Sequence, residues 1–164
     1  MNIFHPGGAG LVGLNLIASL QKSYPQWKIV VVDKKLESIN IGKELFPNVK
    51  FICEDLTLIR NKKWPLEIKK CNICIMLQAE IGNIKSDLFE LNNVYSTKVI
   101  LKELKNAGIK RLIHISSSVV NTPSRDEYTL TKRQQESIVK KEFPNSVILR
   151  PTLMFGWFDR KHLG

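Results

Sequence analysis

Apolar positions along this chain follow two rhythms that take turns. Short continuous runs, such as Ile29-Val30-Val31-Val32 and Ile73-Cys74-Ile75-Met76-Leu77, alternate with stretches in which apolar residues recur every three or four positions, as at Leu14, Ile17 and Leu20. The first pattern is that of strands buried on both faces, the second that of helices with one buried stripe. The runs predict strands at Asn2 to His5, Trp27 to Val32, Val49 to Cys53, Asn72 to Leu77, Arg111 to Ile115 and Ser146 to Leu149. Helices are predicted at about Leu11 to Lys22, Leu36 to Leu45, Leu66 to Lys70, Ser86 to Ala107 and Ser124 to Lys141. Pro25, Pro47, Gly108 and Pro144 punctuate them, and Ser124 with Glu127 has capping-box spacing. Strict alternation of this kind implies an α/β fold, a parallel sheet wound in two directions with helices on both faces.

At 164 residues the chain suits one core, so residues 1–164 are expected to form a single domain. Its 43% hydrophobic and 24% charged residues are those of a soluble globular protein, and no apolar run nears the roughly 18 residues of a membrane span. No export signal precedes the first strand, so a cytoplasmic location and no membrane partner are expected. The net charge of +10 comes largely from scattered pairs (Lys34-Lys35, Lys62-Lys63, Lys69-Lys70, Lys132-Arg133, Lys140-Lys141). Scattering without interleaved aromatics reads as a solvated surface rather than a nucleic-acid face. Three cysteines imply free thiols in a reducing compartment. Cys71 and Cys74 have C-x-x-C spacing but open an apolar strand, where residues three apart face opposite sides, so neither a redox pair nor a metal site is expected.

Chemistry gathers at the strand ends. Gly7-Gly8-Ala9-Gly10-Leu11-Val12-Gly13 joins the first strand to the first helix, with both G-x-G-x-x-G and G-x-x-G-x-x-G spacing available. Glycines at such a junction let the backbone approach a pyrophosphate held against free N–H groups at the helix start. Asp33, twenty positions after Gly13, closes the second strand, where a carboxylate can accept from adenosine ribose hydroxyls and repel a 2′-phosphate. That favours NAD over NADP, a preference tempered by Lys34 and Lys35. Asp55 stands at the third strand's exit, and Ser116-Ser117-Ser118 at the fifth. Tyr128 and Lys132, four apart, share one face of the last helix. A lysine charge about 4 Å from the phenol, at an effective dielectric of about 20, supplies the ~4 kcal/mol needed to lower its pKa about three units.

Taken together, these stretches resemble the extended short-chain dehydrogenase/reductases, the NAD-dependent sugar-nucleotide epimerase/dehydratase family with its Rossmann-type fold. The matching stretches are Gly7 to Gly13, Asp33, Asp55-Leu56, Leu77-Gln78-Ala79, Asn93 to Thr97, Ser116-Ser117, Tyr128 to Lys132 and Leu149 to Thr152. The resemblance implies Tyr128 as the catalytic acid or base, Ser117 (with Ser118 as the alternative) orienting the substrate oxygen, and Lys132 on the nicotinamide ribose. It implies cofactor contacts from Gly7, Gly10, Leu11, Val12, Gly13, Asp33, Asp55, Leu56, Leu77, Gln78, Ala79, Asn93, Lys132 and Pro151. A nucleotide-sugar substrate and a homodimer through helices 86–107 and 125–141 follow from the same likeness. Pro6, Gln78, Asn121-Thr122 and a short Ser118-to-Tyr128 loop depart from the family pattern. Trp157, Phe158, Asp159, Arg160 and Lys161 would begin the passage into a substrate lobe, so the chain is expected to be the cofactor-binding part of a longer enzyme. The alternative is a non-catalytic NAD sensor or scaffold of the same fold.

Overall fold

In the computed structural model of the protein, which describes residues 1–82 and 85–158, the alternating runs close into one six-stranded sheet. Strands β1 (Asn2–Pro6), β2 (Lys28–Asp33), β3 (Lys50–Cys53), β4 (Ile73–Met76), β5 (Arg111–Ile115) and β6 (Val147–Leu149) pair in parallel, in the order β3-β2-β1-β4-β5-β6. This is the doubly wound Rossmann order. It reverses between β1 and β4, where open α/β sheets form a ligand crevice.

Because successive strand residues face opposite layers, each apolar run builds two cores. Phe4, Val30, Val32, Cys74 and Met76 meet Trp64, Ile68, Ile100, Leu104 and Val139 on one face. On the other, Ile3, Ile29, Val31, Ile73 and Ile75 meet Leu14, Ile17, Ile39 and Phe46. At about 1.5–3 kcal/mol per fully buried large aliphatic side chain, these layers hold the helices to the sheet. Helices α1 (Leu11–Ser23) and α2 (Leu36–Leu45) cover the second face. Among the described residues, no helix is long and apolar enough to cross a membrane.

Three elements differ from the sequence expectation. Helix α3 (Trp64–Ile68) starts two residues early, since the Glu54 carboxylate accepts from the N–H groups of Lys63 and Trp64 at 2.9 and 3.0 Å and Pro65 occupies the first turn. The long helix is α4 (Ser86–Phe89) continuing through a π-helical stretch, Glu90–Tyr95, into α5 (Ser96–Asn106). The wider π turn rotates the apolar stripe. Leu91 is 39% exposed, while Asn93 is fully buried. Helix α6 (Glu127–Glu142) is capped by Asp126, whose Oδ1 accepts from the Thr129 N–H at 2.8 Å. The Ser124–Glu127 box is therefore not the cap: a carboxylate nearer the first turn is the stronger acceptor, and the Ser124 hydroxyl hydrogen-bonds to it instead.

Cys71 and Cys74 are free thiols in the same core layer. The expectation of opposite faces fails because Cys71 lies in the turn before β4, outside the strand alternation.

Candidate functional site

The glycine turn lies directly on the exit of β4. Gly7 has a φ of +74°, and a β-carbon there would fall 2.4 Å from the Gln78 backbone. Its N–H continues the ladder to Val32 O at 2.8 Å, while Leu77 N–H bonds Pro6 O at 2.9 Å. The turn is thus pinned from both sides. A β-carbon on Gly13 would lie 2.2 Å from Gly8 O, so the first turn of α1 sits flush on the loop. Gly10 is different: only Gly7 O, at 4.0 Å, would meet a β-carbon there. It is the N-cap of α1 and carries no side-chain cap, so helix-start N–H groups from Leu11 onward border open space. An anionic pyrophosphate fits that cradle on both shape and charge.

Asp33 stands beside this loop. Its carboxylate accepts from the Lys35 N–H at 3.1 Å, and the nearby backbone N–H groups of Lys34 and Ala9 favour its ionised form. Burial raises its pKa above the usual carboxylate range, against the pull of those donors. Asp55 is drawn into a local turn, its Oδ1 accepting from Thr57 N–H and Oγ1 at 2.8 and 2.7 Å. The Leu56 side chain belongs to the core and not to a groove wall.

Beyond β4, Leu77 is half-buried, Gln78 is buried and Ala79 is exposed. Asn93, at the π turn, accepts from the Glu80 N–H at 2.6 Å and donates to Thr131 Oγ1 at 3.0 Å, tying the β4 exit to α6. Gln78 Nε2 donates to Thr97 Oγ1 at 3.0 Å.

At the β5 exit the Ser117 side chain lies beside Tyr128, opposing the rise of its pKa, and accepts from the Val119 N–H at 3.4 Å. Ser118 instead gives its N–H to Pro151 O at 2.9 Å, fastening the β5 and β6 exits together. Lys132 is 1% exposed and donates to Ile115 O at 3.2 Å and Gln135 Oε1 at 2.6 Å. Burial lowers its pKa to about 7, with Glu136 acting in the opposite sense.

The expected depression of the tyrosine pKa by this lysine is not what the structure has. Tyr128 is pushed up by burial, with Asp126 adding to the rise and Ser117 opposing it. Burial of the phenol dominates, and the ammonium is directed to Ile115 O and to Gln135, one turn along α6, which gives it a buried acceptor.

Sequence reasoning missed Gln135 and Glu136, and gave Thr97 no role beyond its place in the Asn93-to-Thr97 stretch. Arg150 clamps Glu136 through two bonds of 2.8 and 2.7 Å, so the Arg150-Pro151 turn is a brace on α6. An arginine beside a strand-end proline and a glutamate four after Lys132 were the available signal. Gln135 carried none, lying among charged residues that read as solvated.

After β6 the chain returns toward α1, where Asn15 donates to Trp157 O. Trp157 is 85% exposed, Phe158 packs edge-on against Phe46, and Asp159, Arg160 and Lys161 lie outside the described residues.

A family model described as the 3-beta hydroxysteroid dehydrogenase/isomerase family matches residues 6–146. An Arabidopsis thaliana trifunctional UDP-glucose 4,6-dehydratase/UDP-4-keto-6-deoxy-D-glucose 3,5-epimerase/UDP-4-keto-L-rhamnose-reductase is 33% identical over 129 residues, covering 73% of this chain and 19% of that protein. A Candida albicans sterol-4-alpha-carboxylate 3-dehydrogenase (decarboxylating) is 26% identical over 178 residues, covering 94% of this chain and 51% of its own length. Among solved structures, a Bacillus cereus UDP-glucuronic acid 4-epimerase in complex with NAD superposes with a TM-score of 0.84 at 24% identity, over 98% of this chain and 58% of that one. The chain thus spans about half of these last two proteins, and less of the first.

Proposed function

The chain belongs to the 3-beta hydroxysteroid dehydrogenase/isomerase family, and we propose that it binds NAD above β1 and β4 and serves oxidation or reduction at a hydroxyl-bearing carbon. The substrate class is a nucleotide sugar or a comparable hydroxylated molecule, taken by a polypeptide of which residues 1–164 are the cofactor-binding domain. The observation that carries this reading is the open backbone cradle beside Gly10, at an uncapped helix start with Asp33 at the neighbouring strand end.

In this reading Leu11, Val12 and Gly13 turn their backbone toward the pyrophosphate, with Gly7 setting the turn. Asp33 accepts from the adenosine ribose hydroxyls, and Asp55 and Leu56 border the adenine with backbone. Leu77, Gln78 and Ala79 form the opposite wall, with Asn93 and Pro151 bracing it. Bound NAD supplies the hydride acceptor. The protein's own part is the proton: the substrate hydroxyl gives it to the Tyr128 phenolate while Ser117 orients the same oxygen. Because burial raises the phenol's pKa, forming that phenolate in this reading depends on Lys132 turning its charge from Ile115 O and Gln135 Oε1 toward the Tyr128 oxygen when the crevice is filled.

A second reading, NAD binding without turnover as a sensor or scaffold, is favoured by one observation: Lys132 is engaged by Ile115 and Gln135 while Tyr128 stands above its ordinary pKa. Calorimetric titration with NAD, followed by NADH formation assays on UDP-sugars, dTDP-glucose and sterols in a chain of the relatives' full length, separates the two. Binding with turnover supports the first, binding without it the second, and no binding rejects both. Pairing of two copies through helices 86–107 and 125–141 belongs to the proposal and is read by sedimentation.

A further inference from the structure

Lys132, Gln78 and Asn93 are joined by two side chains that the proposed chemistry does not use. Lys132 Nζ donates to Gln135 Oε1 at 2.6 Å, and Gln135 Nε2 donates to Thr97 Oγ1 at 2.8 Å. That hydroxyl also accepts from Gln78 Nε2 at 3.0 Å and gives its own proton to Asn93 O at 2.6 Å. Gln135 and Thr97 are wholly buried.

The proton count fixes the direction of this chain. A threonine hydroxyl has one proton and two lone pairs. With its proton on the Asn93 carbonyl, Thr97 can only accept from its other two neighbours, so the Gln135 amide nitrogen must face Thr97. Its oxygen must then face Lys132. An amide locked at one end is a fixed acceptor at the other, whereas a solvated glutamine would turn freely.

We infer that Gln135 is a positioning residue for Lys132, its oxygen held by Thr97 so that the ammonium rests against the Ile115 carbonyl with its third N–H left for a ligand in the crevice. This rests on the reading that Lys132 serves bound NAD, but the placement can be tested without ligand. The groups facing the ammonium are few. Glu136 lies on its own helix and is paired with Arg150 from the β6 exit, and β5 contributes His114, whose pKa burial lowers to about 3. From the long helix, neutral Thr97 is linked to the ammonium through Gln135. Among the described residues the amine is hydrogen-bonded to Ile115 O and Gln135 Oε1 alone, so loss of the Gln135 oxygen lowers the pH at which Lys132 gives up its proton, and a carboxylate in its place raises it.

The test is the pH dependence of thermal unfolding in the intact chain, compared with Lys132→Met. A lysine whose folded pKa is depressed to about 7 is protonated in both states below that value, so it adds a rise in Tm from about pH 7 toward its unfolded value near 10.4. Relative to Lys132→Met, the onset of the rise is expected to move down about one pH unit in Gln135→Leu and up about one in Gln135→Glu. A loss of packing alone lowers Tm without moving the onset. Should Gln135→Leu fail to fold, the onset in Gln135→Glu decides the matter. An onset unmoved in every folded variant, or no rise relative to Lys132→Met, overturns the proposal. Calorimetry with NAD at neutral pH is run in parallel, and about tenfold weaker binding is expected for Gln135→Leu. NAD affinity unchanged by Lys132→Met would overturn the reading of the site while leaving the onset shifts, and the positioning role, intact.

Discussion

A β-carbon on Gly13 would sit 2.2 Å from the carbonyl oxygen of Gly8, whereas one on Gly10, three residues earlier, would touch nothing closer than 4.0 Å. The two glycines therefore answer to different demands. Gly13 is required by the fold, since α1 cannot seat on its loop with a methyl group there. Gly10 is free of that demand and faces the cradle.

Substitution should separate these roles. Gly13→Ala forces backbone against backbone and is expected to cost about 2–3 kcal/mol of stability in urea unfolding. Gly10→Ala, at an extended φ of −85°, should change stability by less than about 0.5 kcal/mol yet weaken NAD binding about tenfold or more by calorimetry. Equal NAD affinity in Gly10→Ala and the parent chain would remove the cradle from the proposed site.

Tyr128 and Ser117 lie beside each other at the β5 exit, the serine opposing the burial-driven rise of the phenol's pKa. In a polypeptide of the relatives' length, Tyr128→Phe is expected to lower kcat by about 10²–10⁴, the usual worth of a positioned acid or base, with NAD affinity within a few-fold. Ser117→Ala should act in the same direction and Ser118→Ala far less, because Ser118 engages Pro151 through its backbone. Undiminished turnover in Tyr128→Phe would exclude the proton-transfer role.

What could be read in advance followed burial on both faces. Runs such as Val30-Val31-Val32 admit one answer, because a strand in the middle of a doubly covered sheet needs apolar residues at every position. Polar residues were harder, since a glutamine on a helix among lysines looks solvated until the neighbour that buries it is known. Gln135 is such a case, and so is the π turn at Asn93, where a change of helical pitch leaves no mark in the spacing of apolar residues. The cap of α6 was misplaced for a related reason: Ser124 and Asp126 both suit the role, and only the backbone path selects the aspartate.

Acid should loosen the Arg150 brace. Arg150, foremost, holds the Glu136 carboxyl down at about 2, and the Ser124 hydroxyl, foremost, does the same for Asp126. Carboxylates with depressed folded values contribute stability that is complete above their unfolded values, near 4, and is lost as pH falls toward 2. Tm is therefore expected to fall between about pH 5 and 2. Glu136→Gln should lower Tm by about 3 °C at neutral pH and flatten the acid dependence. A profile as steep as the parent's would assign the loss to other groups.

The three thiols should not react alike. Cys53 is exposed, whereas burial raises the Cys71 thiol to about 11 and Cys74 well above the usual value. Thiolate is the reacting form, so a chromogenic disulfide reagent should titrate one cysteine rapidly in the native protein and three in denaturant. Rapid loss of two thiols together under mild oxidant would instead reveal a dithiol pair at Cys71 and Cys74.

Asp33 should decide between the two dinucleotides. Donors from Ala9, Lys34 and Lys35 favour its ionised form, which accepts from ribose hydroxyls and repels a 2′-phosphate. Lys34 Nζ is committed to Asn92 Oδ1 at 2.8 Å, and Lys35 is exposed at the start of α2. The carboxylate is thus expected to dominate and give preference for NAD over NADP. Asp33→Asn keeps the shape and removes the charge, so the ratio of NAD to NADP affinity should fall about tenfold, or about 1.4 kcal/mol, in competition calorimetry. Because burial raises the Asp33 pKa, the parent protein should also lose this preference on acidification, at a pH above the ordinary carboxylate range. Protonation cancels the repulsion just as the amide does. A preference for NAD that persists in Asp33→Asn would move the discrimination to another residue of the adenosine side, with Lys35 the first to substitute.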